Sequence, residues 1–345
     1  MKLVITCEIK RQPQLRSHPQ LDRPWDLDSE HLSKESLVEI ETALMHLGYE
    51  IEIAENHEAL FSISQRYEDL LGINLSVGHG GPSTKVFTAA LLDILGIPYV
   101  GSPPHSLAIT RDKSICKAVA QWLGIPTPQW KSFAPGSRIA AEVKLPVIVK
   151  PLHESCSVGI HAASVIHEEQ HLMQAITRVW DIYRQPALVE QYIPGIDIEV
   201  PFMGGAQVLG YVAVVPQLLH KQCDILTSAA VYQDAYDFNE PDHLTQWSTG
   251  IETKLQAWVL EFGSATSIRD YGRIDFRVTS EGTVYFIEAS THPYLGRHSS
   301  FFWLYERAGR QYKELWNDLL NVFFRRQAQT DHNVNQSESL RVGRG

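Results

Sequence analysis

The chain has 345 residues, a formal net charge of -10 and 44% hydrophobic residues. That length can bury more than one core, so two or three domains are expected, and the acidic balance argues against nucleic acid or an anionic membrane as a partner, since either calls for a basic face. The opening apolar run, 2–9, is too short for a signal peptide or a membrane span, and Cys7, Cys116, Cys156 and Cys223 are too scattered for a disulfide framework or a thiolate zinc site, so a reducing cytoplasm is the expected location.

In chain order, 2–9 reads as a buried strand and 35–47 as an amphipathic helix with Leu37, Ile40, Leu44 and Leu47 on one face, closed by Gly48. Strands are expected at 49–53 and 71–77, after which His79-Gly80-Gly81-Pro82-Ser83 turns the chain into a helix over 84–95. This is an α/β domain with a loop at the carboxyl end of a strand, the position where open sheets bind ligands. Beyond a Gly-Ser-Pro-Pro break at 101–104, Asp112 can cap a helix that turns Ile115, Ala118, Val119 and Leu123 inward. Strands at 145–150 and 187–193 flank a Ser-rich loop, 154–159, and a helix over 168–180. Further strands at 197–202 and 208–215 precede a helix over 252–268. From about residue 326 the composition turns polar and predicts a disordered tail.

The chemistry-bearing residues concentrate after that break. Between Asp270 and Ser290, Arg273 and Asp275 alternate with Ile274 and Phe276, a Ser-Glu-Gly turn follows, and 285–287 bring Glu288 back alongside. Two carboxylates facing each other across a ladder suit magnesium, a hard cation that keeps nucleotide phosphates in its shell; an ordinary hairpin with a solvated acidic pair satisfies the same pattern. Lys113 and Lys150 can each set an ammonium against a phosphate, and the small residues of 154–159 let backbone N–H groups fold over a phosphate chain. Glu190 to Ile193 end a strand where backbone groups can read an adenine edge, and Asp197 can accept ribose hydroxyls. His167-Glu168-Glu169-Gln170-His171 fits the zinc-protease pattern H-E-x-x-H, with both imidazoles expected on one helical face, but lies on what reads as a polar surface helix with no third ligand evident.

In the order Lys113, Lys150, Ser157-Val158-Gly159, Glu190, Asp197, Arg273-Ile274-Asp275 and Glu288, the chain resembles the ATP-grasp enzymes and, within them, the D-alanine–D-alanine ligases. The resemblance spans about 79–308 and is strongest at 95–102 with Arg111-Asp112-Lys113, at 189–200, and at 272–276 with Glu288. It implies an α/β (α+β) three-domain architecture: a pre-ATP-grasp domain, 1–101, a central ATP-grasp domain, 102–188, and a C-terminal domain with the metal site, 189–327, ahead of the 328–345 tail. The implied activity is ATP-dependent carboxylate–amine ligation through an acyl phosphate, on small-molecule substrates, with ATP and Mg2+ (or Mn2+) as cofactors and a homodimer as the usual assembly. Lys113, Lys150, Glu190, Tyr192, Ile193 and Asp197 would bind nucleotide; Asp275, Glu288 and Ser290 would hold metal. Arg273, Ser157 and Ser299 would be catalytic, and His79 and His298 would contact substrate.

Departures from the ligase pattern bear on the donor substrate. The glutamate-bearing opening that holds the first D-alanine's ammonium is not found after the first strand, which leads into Glu8-Ile9-Lys10-Arg11, and Thr84-Lys85 replace an acidic pair. Cys156 stands where a lid serine is expected, Val231 where a lysine is expected, and Ser290 in place of asparagine, with Lys221 or His220 as candidates for the missing cation. A specialised ligase, a true D-alanine–D-alanine ligase and a nucleotide-binding protein without turnover all remain compatible with these residues.

Overall fold

The computed structural model describes residues 1–10, 24–78, 83–139, 144–204, 207–217, 225–247 and 249–342. The first block alternates strand and helix: β1 (Lys2–Thr6), a 3-10 turn (Trp25–Glu30), α1 (Lys34–His46), β2 (Glu50–Ala54), α2 (His57–Ser64), β3 (Leu70–Asn74), α3 (Thr84–Ile94) and β4 (Tyr99–Val100). Its sheet is parallel with order β2-β1-β3-β4, and Leu3, Val4 and Ile5 of the central strand are wholly buried, as a parallel strand covered on both faces requires. Ser33 caps α1 by accepting from the Ser36 N–H at 3.0 Å, and Leu37, Ile40 and Leu44 face the sheet.

Two helices, α4 (Pro104–Arg111) and α5 (Lys113–Trp122), lead into the second block: β5 (Trp130–Phe133), β6 (Val147–Pro151), β7 (Val165–Ile166), α6 (Glu169–Tyr183) and β8 (Ala187–Gln191). These strands form an antiparallel sheet of order β5-β8-β6-β7, with Leu172, Ile176 and Val179 of α6 packed on it. The third block holds β9 (Ile196–Met203), β10 (Gln207–Val208), β11 (Val212–Pro216), α7 (Ser228–Tyr232), β12 (Tyr236–Asn239), α8 (Thr249–Ala265), β13 (Tyr271–Val278), β14 (Val284–Ser290), α9 (Ser300–Arg307) and α10 (Tyr312–Val342). Its sheet runs β12-β11-β9-β13-β14, with β10 paired to β9.

Four differences from the sequence reading have physical reasons. A boundary at 188/189 would cut β8, which lies wholly in the second sheet, while α5 packs its Cys116 and Ala120 into the core of the third block. On α5 the buried face is Cys116, Lys117 and Ala120, whereas Ile115 is 45% exposed and Ala118 is also exposed. Val119 and Leu123 do pack against that core, as expected, but apolarity misplaces Ile115 and Ala118, because the inward side also carries lysines neutralised by acids from other strands. The H-E-x-x-H segment does not place both imidazoles on one helix face, since α6 begins at Glu169 and His167 precedes it. Finally, α10 continues as helix through Val342 where a disordered tail is expected from 328. The stretch contains no Gly or Pro, so it propagates from the segment that Tyr312, Leu315, Trp316, Leu319 and Phe323 bury against α1 and the first sheet.

Candidate active site

The third sheet presents one face of alternating charge. In register across β9, β13 and β14, Arg277 lies opposite Asp197, Asp275 opposite both Glu199 and Glu288, and Arg273 opposite Ser290. A register shift follows Asp275, where β14 carries the additional residue Ile287, and such bulges re-aim side chains beside functional sites. Together with lid residues of the second block, this face lines a cavity of about 290 Å³ that reaches the first block.

At one end of the cavity, cations and acids interlock. Lys150 is 2.5 Å from Glu190 and Lys117 2.7 Å from the same carboxylate, while Lys113 is 3.1 Å from Glu288 and donates to the Glu154 carbonyl. Burial alone would raise the Glu190 pKa, but Lys117 and Lys150 outweigh it and hold the carboxyl at about 2. Lys117, wholly buried, carries no signal in the sequence beyond its i,i+4 spacing from Lys113. Tyr192 and Ile193 line the same end, with the Tyr192 N–H donated to the Pro146 carbonyl and the Ile193 carbonyl accepting from Arg277. Asp197 is bound to Arg277 at 2.9 Å.

Arg273 forms a two-pronged pair with Asp275, at 2.7 and 2.8 Å, and reaches Glu199 at 3.1 Å. Burial, with Glu199 and Glu288 adding repulsion against the pull of Arg273, lifts the Asp275 carboxyl to about 7. Such a site gains from a divalent cation: its donors are carboxylate oxygens, one of them reluctant to ionise unaided, with the Ser290 hydroxyl in the same ladder. Asp275, Glu288 and Ser290 therefore fit magnesium in donor type and face, although Arg273 and Lys113 hold both carboxylates here. Among the described residues, the three acidic or histidine ligand atoms that approach one another within 4.8 Å belong instead to Glu240, Asp242 and His243, which do not line the cavity.

The other expected site residues divide. Ser157 lines the cavity in a lid whose Cys156 and Ser157 both adopt positive φ, and burial pushes the Cys156 thiol up to about 12, so it stays protonated. Ser299 instead caps α9, accepting from the Phe302 N–H at 3.2 Å, and is absent from the cavity wall. His298 packs on Tyr236, 4.5 Å between ring centres, and pairs with Asp234 at 3.5 Å, just outside the cavity lining. His79, Lys221 and His220 lie outside the described residues. Beside Val231, the Lys10 ammonium sits 4.0 Å above the Tyr232 ring and lines the cavity, bringing a cation from the first block.

The opposite end holds residues that the sequence does not announce. Glu30, at the close of the 3-10 turn, accepts from Arg111 at 2.9 and 3.0 Å and from the Ser155 N–H at 2.6 Å, and lies 3.2 Å from Lys85. Arg111 continues to Glu154 at 2.9 Å, and Gln185 donates to the other Glu154 oxygen at 2.7 Å. Negative charge is thus present where the sequence suggests it is lost, but it is neutralised inside the chain. His292 also lines this end; the Asn74 backbone is close, yet neither ring nitrogen has a hydrogen-bond partner of good geometry, and burial with nearby Lys85 pushes its pKa down to about 3. The Glu8 carboxylate, by contrast, is occupied by the Ser76 hydroxyl and the Val77 N–H.

Two sheets closing on a cavity with lysines, a carboxylate pair and a small-residue lid define the ATP-grasp class of nucleotide-using ligases. Residues 113–321, more than half of the chain, match the family model described as D-ala D-ala ligase C-terminus. The D-alanine–D-alanine ligase of Aquifex aeolicus is 28% identical over 79% of this chain and 89% of its own length, and an uncharacterised protein of Sinorhizobium fredii is 31% identical over 90% and 91%. Among solved structures, the D-alanine–D-alanine ligase of Bacillus anthracis complexed with ATP superposes with a TM-score of 0.71 at 17% identity, covering 96% of this chain and all of that one. The chain belongs to the D-alanine–D-alanine ligase family and is an ATP-dependent ligase of that type. None of its described helices is long and apolar enough to cross a membrane.

Proposed function

We propose that this protein activates a small-molecule carboxylic acid with ATP and joins it to an amine, on substrates other than the two D-alanines of cell-wall synthesis. The observation that carries the reading is the convergence of Lys113, Lys150, Arg273, Asp275 and Glu288, from α5, β6, β13 and β14, on one cavity wall. Magnesium, held by Asp275, Glu288 and Ser290, would neutralise phosphate charge while the γ-phosphoryl group passes to the carboxylate. Lys113 and Lys150 would leave their carboxylate partners for phosphate oxygens, and the backbone of 155–159 would cover the phosphate chain. Arg273 would face the acyl oxygen and stabilise the negative charge that develops as the amine adds.

Formation of ADP and phosphate should require ATP, a carboxylic acid and an amine together, and a mass-spectrometric screen of acid and amine mixtures should yield an amide. Steady ADP release without either organic substrate, or none with any pair, would count against ligation. Nucleotide binding can be tested separately. ATP with magnesium at about 100 times its Kd should add about 2.7 kcal/mol of stability and raise the melting temperature. Lys150→Ala should reduce that shift, and a wild type that shows none under these conditions contradicts the nucleotide assignment.

A further inference from the structure

We propose that the end of the cavity around Glu30 selects a donor acid bearing an oxygen beside its carboxyl group, a hydroxyl or a carbonyl, in place of a free ammonium, and that Lys85 donates a hydrogen bond to that oxygen. The inference rests on the ligase reading and names the class of acid that the site takes. A carboxylate has four lone-pair positions, and those of Glu30 are engaged by two contacts from Arg111, one from the Ser155 N–H and one from Lys85. The buried network balances Glu30 and Glu154 against Lys85 and Arg111. An amino-acid ammonium would enter as a third buried cation with no acid left to pair it, and an uncompensated buried charge is disfavoured.

Lys85 has three N–H donors; Glu30 at 3.2 Å and the Ser155 hydroxyl at 3.5 Å account for two, which leaves one for an acceptor in the cavity. The His292 ring lines the same end with one nitrogen engaged, in loose geometry, by the Asn74 backbone, which leaves the other to donate to a carbonyl oxygen or accept from a hydroxyl. Leu32, Leu75, Val77 and Leu295 supply apolar wall for the rest of the donor.

Hydroxylamine can stand in for the amine, which separates donor choice from the unknown acceptor. The carboxylate oxygen takes the γ-phosphoryl group, giving acyl phosphate and ADP; the hydroxylamine nitrogen then attacks the acyl carbon, phosphate leaves, a proton is lost and a hydroxamate remains. Lactate and 2-hydroxyisovalerate in both enantiomers are compared in this way with alanine, valine, propionate and isovalerate; pyruvate and 2-oxoisovalerate, whose carbonyl groups hydroxylamine converts to oximes, are compared with the same acids by acid-dependent positional isotope exchange in oxygen-18-labelled ATP, which needs no added amine. At least one oxygen-bearing acid should exceed its amino and unsubstituted counterparts in kcat/KM by at least about a hundredfold. Lys85→Met, checked by melting temperature, should bring it down to the level of the unsubstituted acid, and Lys85→Glu should shift preference toward the amino acids. Preference for amino acids in the wild type, parity with the unsubstituted acids, or a preference untouched in a folded Lys85→Met overturns the inference while leaving the ligase reading intact. Hydroxamate from no acid of any class overturns both.

Discussion

Asp275→Asn and Glu288→Gln are each expected to lower ADP formation by about a thousandfold, equivalent to about 4 kcal/mol of transition-state stabilisation, with little loss of fold stability. Both residues face the same cavity from adjoining strands, and no other pair of acids on that face lies in register across β13 and β14. The fold should tolerate both changes. Burial raises the Asp275 carboxyl to about 7, so its charged form opposes folding and does not support it, and in Glu288→Gln the Lys113 ammonium keeps the Glu154 carbonyl. Steady-state assays at saturating magnesium, alongside thermal melts, test this. Near wild-type rates in both folded variants would place the metal elsewhere.

Arg111→Met should destabilise the folded protein by about 3–5 kcal/mol, the range for breaking a buried ion pair from one side. Arg111 is 3% exposed and joins Glu30 to Glu154, so its loss leaves Glu30 with Lys85 alone and Glu154 without its ion-pair partner. Adding Glu154→Gln should recover much of the deficit, because it removes the acid that has lost its ion-pair partner; the double variant measures that coupling. The pH dependence follows in sign. Burial already holds the Glu154 carboxyl above its ordinary range, so the folded state binds that proton more tightly than the unfolded chain does. The deficit of Arg111→Met should therefore grow as pH rises through the carboxylate range and shrink as it falls. Denaturant unfolding decides it: a loss below about 1 kcal/mol, independent of pH, is the behaviour of a solvated surface pair and would contradict a buried network.

Much of the nucleotide end can be read without coordinates. Lys150 ends an apolar run, and Arg273 and Asp275 sit at period-two positions in a hairpin whose turn is marked by Gly282, so their shared face follows from strand geometry, whereas Glu288 joins that face only through the bulge at Ile287. The parallel first sheet and the Ser33-led helix α1 are equally legible, since alternation and capping are local properties. Lys117 is not, because a lysine reads as surface wherever its partner is distant in sequence, and Glu190 lies 73 positions away. The same reason hides the end around Glu30. Glu30, Lys85, Glu154 and His292, with Arg111 behind them, come from five separate segments, and only packing of the three blocks brings them together at one cavity. The sequence by itself determined the family and the ATP-grasp fold class, because the motifs that carry them depend on short-range period and spacing. Tertiary structure alone decided that Glu30 is already neutralised, because charge balance in a buried site is the sum over groups that the chain keeps far apart until it folds.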